Sequence, residues 1–510
     1  MAKILEIRSL AGCIVIETDI SSPDGLSVVC WEMNRRYHAA NTTPVAHEAG
    51  RGSRGAALSV ERTRDGKDGI YMQYAVLKCG RRLPGPCRVT RMEASAWDYP
   101  YPKAEGIKGL QVHGIADAVA LGVRHAAINL SQPTVMLPGP GPDALPFESN
   151  GRAYYFRKSY IHKFDAYVRM LSENGIIVNL ILLNSMKWDG IAAGTEMERV
   201  LAHPDYDREG FISAFNTVTP EGIAHYIAFI EFVASRYMRE DAQYGRACGL
   251  IVGNEVDSQW VWGNAGRKTA AQYVREYAVA LRLAWLAAAK YYAHARAYVS
   301  LDHFWTMRYM PDDPLKTYGG REVLELLAGD CRRHGDFPWA LAHHPYPEDL
   351  NNPDFWHDKT AEYCLETGRI TFKNLEVLDV WLRLPRMLHR GAPRPVILSE
   401  QGFNSKETDE SEQLQRAAYC LAYQKALEIP LIEAFILHAH VDNRDEFGLN
   451  LGLWRRDKHS DEASRPLSPK PIYEAFRDID GPDGAQIIEQ AREFIGADVW
   501  DAALQTKEIG

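Results

Sequence analysis

Glu255 and Glu400 each close an apolar run: LIVGN precedes the first and PVILS the second. Two carboxyl groups facing each other across a cleft can divide the work of cleaving a glycosidic bond. One donates a proton to the leaving oxygen and the other attacks the anomeric carbon. Burial and a neighbouring negative charge would raise the pKa of the acid and keep it protonated near neutral pH. A lone glutamate at a strand end reads more simply as the partner of a surface cation. It is the pair, in register with the elements that carry it, that favours catalysis.

Other polar residues also end apolar runs. They are His113, Asn129, Asn184 with Trp188, Asn254 beside Glu255, Asp302-His303, His343-His344-Pro345-Tyr346, Ser399 and Gln401 around Glu400, and His438 with His440. The histidines invite a metal reading, because neutral imidazoles near a carboxylate can bind zinc. They come from different segments without ligand spacing, so hydrogen bonding to substrate hydroxyls or to the core is favoured. His438-x-His440 is the best single metal candidate. No metal and no cofactor is assigned. Aromatic faces can cover the C–H groups of a pyranose ring and exclude water. Trp188, Trp260, Trp262, Trp305 and Trp356 all follow strand ends or lie in loops, with Trp188 and Trp260 closest to the predicted chemistry.

The elements that must position these groups alternate along most of the chain. KGLQVHG, RHAAINLS, IIVNLILLN, GLIVGNEVD, AYVSLDH, WALAHHPYP, RPVILSEQGF and LIEAFILHAHVDN read as eight short strands. Helical patterns separate them. One places Ile161, Phe164, Val168 and Leu171 on a single face, and another is capped by Thr219 with Pro220 at its first position. Apolar runs without alternation suit parallel strands buried on both faces. Eight βα units is the count of an α/β fold of the (β/α)8 (TIM) barrel type, in which polar residues at strand C-terminal ends form the site. Strands four and seven, bearing Glu255 and Glu400, would then reach one central cleft. An open doubly wound sheet would want a Gly-rich phosphate turn after its first strand, and Val112-His113-Gly114 is not one.

The first hundred residues differ. CIVIETDI, LSVVCWEM, GAALSVERT, IYMQYAVLKC and CRVTRMEASAW are β-branched or aromatic runs separated by turn signals such as Pro23-Asp24-Gly25. The expectation is a β-rich, sandwich-like accessory domain over residues 1–105, joined through Tyr99-Pro100-Tyr101-Pro102 to a catalytic barrel over 106–510. The Gly- and Pro-rich stretch from Pro138 to Pro146 reads as an insertion.

With these residues in place, the chain resembles the clan A glycoside hydrolases, retaining (β/α)8 enzymes with two glutamates on strands four and seven. Asn254-Glu255 in IVGNEVD and Glu400 in ILSEQGF carry the resemblance, over roughly residues 108 to 480. It implies that Glu255 is the acid/base, Glu400 the nucleophile, and Asn254 a ligand of the sugar 2-hydroxyl. His344 and Tyr346 match the sixth-strand region, where Tyr346 would hydrogen-bond the nucleophile. Asn184, Trp188, Trp260, His113 and His440 complete the expected substrate-binding set. There are two departures. Arg124 starts strand two where many clan members carry an Arg near its end, and Leu437-His438-Ala439-His440 replaces the common Trp after strand eight.

Composition bounds the alternatives. The 510 residues carry 58 Lys+Arg against 67 Asp+Glu, a net charge of −9. That balance gives no footprint for a phosphate backbone, so no nucleic-acid partner is expected. The cluster Arg81, Arg82, Arg88 and Arg91 reads as a solvated strand face. No stretch is long and apolar enough for a membrane span, and Glu6 and Arg8 interrupt the apolar start, so no secretory leader is read and a cytoplasmic location is expected. A trimmed start from an exported protein would look the same. The eight cysteines show no metal spacing and read as free thiols, with an N-terminal disulfide as the alternative. The expected function is a retaining hydrolase of O-glycosidic, β-linked bonds in an oligo- or polysaccharide. A transglycosidase using the same residues, or a carbohydrate-binding barrel without catalysis, are the alternatives. The sequence says nothing of oligomeric state, sugar identity, or exo against endo action.

Overall fold

In the computed structural model, which describes residues 2–505 and 507–509, eight parallel strands close into a barrel. They are β1 (Lys108–Leu110), β2 (His125–Ser131), β3 (Ile177–Leu183), β4 (Ala247–Val252), β5 (Arg296–Leu301), β6 (Trp339–His343), β7 (Val396–Gln401) and β8 (Ile432–Leu437). Gly109 of β1 pairs with Ile436 of β8 and closes the ring. Every residue of β3, β4 and β6 is buried, as expected for strands covered by side chains inside the barrel and by helices outside. Ala127, Ile181, Ile251, Tyr298, Ala340, Ile397 and Ile436 pack together inside the ring. Gly249 is required there, because a Cβ at its position would lie 2.0 Å from Asn179 Oδ1.

Several of the helices begin at a threonine cap. Thr219 accepts a hydrogen bond from Gly222 N, and Pro220 opens the helix Pro220–Tyr237. Such a cap contributes about 1 kcal/mol. Thr408 caps Asp409–Leu427, whose first turn holds Asp409, Glu410 and Glu412, where the helix dipole favours acids.

Strands within residues 4–92 build two larger sheets, one of five strands and one of four, and a two-stranded ladder of Thr63–Arg64 with Lys67–Asp68. Pairing is antiparallel except between Ile4–Ser9 and Arg91–Met92. Both sheets share one continuous apolar core with the barrel. They dock on the helices that follow β3, β4 and β5. Glu231 of Pro220–Tyr237 is 1% exposed and accepts from Tyr71 Oη, Ser149 Oγ and Lys290 Nζ, each at 2.6 Å. Lys290 also lies 3.4 Å from Asp68, which Arg62 holds with two hydrogen bonds of 2.8 Å. Arg88 is buried and pairs with Asp330 at 3.0 Å. This corrects the reading of Arg88 as part of a solvated face, although Arg81 and Arg82 are exposed.

The insertion after β2 carries a small sheet of its own. Met136–Leu137, Ala144–Ser149 and Arg152–Arg157 form a three-stranded sheet whose hairpin turns at Asn150 (φ 49°) and Gly151 (φ 70°). It packs on the helix Pro220–Tyr237, with Phe156 stacked on Phe232 at 3.8 Å. None of the eight cysteines is paired with another, and five are buried. Among the described residues no helix is long and apolar enough to cross a membrane.

Candidate active site

Glu255 stands three residues beyond β4. Gly253 (φ 83°) and Glu255 itself (φ 38°) take left-handed backbone, a conformation unfavourable for a side chain larger than glycine. Ser300 Oγ at the end of β5 holds the turn by accepting from Glu255 N at 3.0 Å. Glu400 lies within β7, three strands around the ring. The two carboxyl groups meet at the C-terminal mouth of the barrel: an oxygen of each and one nitrogen of His344 all lie within 4.8 Å of one another.

Their surroundings push them in opposite directions. Burial raises the pKa of Glu255 well above the usual carboxylate range, and the charges of Asp302 and Glu400 add to it. Burial also acts on Glu400, but the nearby imidazoles of His344 and His438 and hydrogen bonds from Gln111 and Tyr346 outweigh it and hold Glu400 below its ordinary value. Tyr346 Oη donates to Glu400 Oε1 at 3.2 Å, and Gln111 Nε2 donates to Oε2 at 3.2 Å. Gln111 Oε1 is 2.7 Å from His438 Nδ1. His438 Nε2 lies 3.1 Å from Glu446 Oε1. Although burial opposes its charge, hydrogen bonding to Glu446 and the charge of Glu400 push His438 up to about 9.

His344 bridges the pair. Nδ1 is 2.8 Å from Glu255 Oε1, and Nε2 is 3.0 Å from Ser399 Oγ. Burial lowers its pKa. In the neutral form, Ser399 can donate to Nε2 while Nδ1–H donates to Glu255 Oε1. That arrangement leaves Oε2 to carry the acid proton. Behind Glu255, Asp302 N donates to Asp257 Oδ1 at 3.1 Å, and burial pushes Asp302 up to about 6.

The remaining sequence-nominated residues distribute unevenly. Asn254 is half-buried at the mouth beside Glu255. Asn184 is fully buried, and its Nδ2 donates to Leu201 O and Ala214 O at 2.8 and 2.9 Å, so it braces the loop after β3. His440 Nδ1 accepts from the backbone of His113 and Gly114, so Nε2 carries the proton and donates to Asp117 at 2.8 Å. Both nitrogens are thereby tied into a clamp shared with Trp454 and Tyr473. The His113 side chain is exposed. His438 and His440 therefore face different partners and do not share a ligand position. Trp260 is 7% exposed with Lys316 Nζ over its ring at 3.9 Å. Trp188 is 56% exposed and joins Phe211, Trp262 and Phe447 in an aromatic cluster. Gln111, Glu446, Phe211 and Phe447 are the members that sequence reasoning did not nominate.

Fold and site together define a (β/α)8 barrel with a buried carboxyl pair at its C-terminal face. The chain belongs to a family described as a Family of unknown function (DUF5722), whose model matches residues 100–503 and so spans the barrel without the N-terminal sheets. No curated protein matches it. Among solved structures it is similar to a family 39 glycoside hydrolase from Bacteroides cellulosilyticus, 13% identical, with 94% of this chain and 82% of that chain covered and a TM-score of 0.46. It is similar also to a hyperthermophilic β-glucosidase from Pyrococcus furiosus (15% identical, 76% and 85% covered, TM-score 0.42). A third is a family 1 β-glucosidase from Thermotoga maritima (11% identical, 73% and 85% covered, TM-score 0.42).

Proposed function

We propose that the protein is a retaining glycoside hydrolase acting on β-linked sugars. The observation that carries this reading is one buried pair with an oxygen of each carboxyl within 4.8 Å of the other, in surroundings that push Glu255 well up and Glu400 down. Carboxyl groups about 5–5.5 Å apart suit attack by one of them, whereas inversion needs roughly 6.5–9.5 Å to admit a water. The close approach here favours the first.

In the first step Glu400 attacks the anomeric carbon as the C–O bond breaks, and Glu255 gives its proton to the departing oxygen. The product is a glycosyl ester on Glu400 and a Glu255 carboxylate. In the second step Glu255 takes a proton from water, the water oxygen bonds the anomeric carbon, and Glu400 leaves as carboxylate. Tyr346 and Gln111 hold Glu400 ionised and aimed between turnovers. Asn254 is positioned to bind a hydroxyl of the reacting sugar.

The test uses β-glycosides of common hexoses and pentoses with a nitrophenyl leaving group, and a 2-deoxy-2-fluoro analogue to trap the ester. Peptide mapping of the trapped enzyme should find the sugar on Glu400. Glu400→Gln should lower turnover on the order of 10⁴-fold with the fold intact. Near-normal turnover in that variant would sink the assignment.

A further inference from the structure

The loop after β8 reaches across the barrel mouth. β8 and β4 are diametrically opposed in the ring, yet Phe447 from the β8 loop meets Trp262 from the β4 loop, ring centroids 6.4 Å apart, and Phe211 from the β3 loop at 6.0 Å. The segment 443–449 is therefore a strap over the site. Its roots are fixed: Asp442 pairs with the buried Lys470 at 2.6 Å, and Asn450 N donates to Asn404 at 2.8 Å. Between the roots, Arg444 N donates to Ala463 O at 2.9 Å, and two consecutive residues meet the walls of the mouth. Glu446 lies against His438, on the nucleophile side, and Phe447 lies against the aromatic residues of the opposite wall. Phe447 takes φ 52° and Gly448 φ 87°, so the tip holds a bulky side chain in a backbone region it would otherwise avoid.

The cluster that the strap completes is open to solvent. Trp188 stacks on Phe211 at 5.5 Å, and Phe211 on Trp262 at 5.6 Å. Phe211 and Trp262 rest on the apolar interior of the barrel. Trp188 and Phe447, at the rim, are 56% and 67% exposed. Aromatic surface of this extent is normally buried or used for binding. Its place identifies the occupant. Trp262 is on the loop that carries Glu255, the group that gives the leaving oxygen its proton in the proposed mechanism, and that is the side on which a leaving sugar would sit. A pyranose ring there would lay its C–H face on an aromatic ring and keep its hydroxyls in water.

We propose that Trp188, Phe211, Trp262 and Phe447 form the subsite for the sugar ring on the leaving side, closed over by the strap 443–449. This rests on the glycosidase reading. It assigns a specificity role to Phe447 and Trp262 and makes the enzyme selective for substrates whose leaving group is itself a sugar.

The experiment compares two substrate sets: β-glycosyl fluorides of glucose, galactose, mannose and xylose, whose leaving group has no ring, and the β-linked disaccharides of the same sugars. In Phe447→Ala and Trp262→Ala, kcat/KM on the cleaved disaccharide should fall about tenfold or more, while that on the matching fluoride changes less than about twofold. Phe447→Tyr should keep the disaccharide rate. Phe447 is exposed, so its truncation leaves the core untouched, and an unchanged thermal midpoint checks this. Equal losses on both substrates, or none on the disaccharide, overturn the subsite. A wild-type enzyme that turns over neither set overturns the glycosidase reading itself, and the subsite with it.

Discussion

His344 Nδ1 lies 2.8 Å from Glu255 Oε1, and this contact joins the β6 end to the carboxyl that must hold a proton. It explains how a buried glutamate can stay oriented without a cation beside it. A neutral imidazole, itself lowered by burial, can donate to one oxygen and leave the other for the substrate. His344→Ala should therefore disturb the proton-transfer step more than substrate binding. We expect kcat to fall about 10²-fold or more with KM little changed. Substrates with good leaving groups, which need little protonation, should be much less affected. Equal losses for good and poor leaving groups would count against this role.

The pH profile follows from the opposed shifts. In the proposed mechanism Glu400 must be ionised, so activity falls as the pH drops through its lowered pKa. Glu255 must be protonated, so activity falls as the pH rises through its raised pKa. The result is a bell in kcat/KM. Asp302 is ionised above about 6 and its charge helps to raise Glu255. Removing that charge in Asp302→Asn makes Glu255 easier to ionise. The basic limb should move acidward by about one pH unit while the acidic limb stays. A stationary basic limb would show that Asp302 does not act on Glu255.

Tyr346 controls the other limb. Its hydroxyl is one of two uncharged donors to Glu400. A hydrogen bond to a charged group contributes about 1.5–3 kcal/mol, which is about one to two pKa units. Tyr346→Phe should raise the acidic limb by that amount and leave the basic limb in place. The pH dependence of kcat/KM for the variant measures both limbs at once.

Much of this arrangement is legible in the sequence. All eight barrel strands announce themselves as short apolar runs ending in polar residues, and Glu255 and Glu400 sit at two of those ends. What escapes is set by strand length and by distance along the chain. β1 is only three residues long and ends at Leu110, so reading it on to His113 conceals Gln111 at the true strand end. His438 is the first residue past β8, and His440, two residues further on, has both ring nitrogens bonded within the clamp of His113, Gly114 and Asp117. The hairpin after β2 hides in a Gly- and Pro-rich stretch, although Asn150-Gly151 is the turn pair that two positive φ angles demand. Phe211 and Phe447 have no local pattern to betray them, because they meet only when two distant loops fold over the barrel.

One buried carboxylate gathers three of the contacts that dock the N-terminal sheets. Glu231 receives three hydrogen bonds, from Tyr71, Ser149 and Lys290, which come from the N-terminal sheets, the inserted hairpin and the helix after β4. Glu231→Ala leaves those donors facing each other without an acceptor. Breaking a buried pair in this way costs about 3–5 kcal/mol. Denaturant unfolding of the variant should show that loss. A change under about 1 kcal/mol would mean that the remaining contacts, the Arg88–Asp330 pair and the shared apolar core among them, hold the sheets without it.

Glu255, His344 and Glu400 also form the one group of three acidic or histidine side chains among the described residues close enough to hold a cation. In the mechanism proposed, however, the same atoms already have duties. A cation would compete with the proton on Glu255 and with the nucleophilic charge on Glu400. Dialysis against a chelator should therefore leave turnover unchanged. Added zinc should inhibit, because carboxylate and imidazole ligands suit it and it would hold both glutamates as ligands. Inhibition should weaken at lower pH, where protons displace the metal from its ligands. Loss of activity on chelation, restored by zinc, would instead make the trio a metal site and Glu400 a ligand in place of a nucleophile.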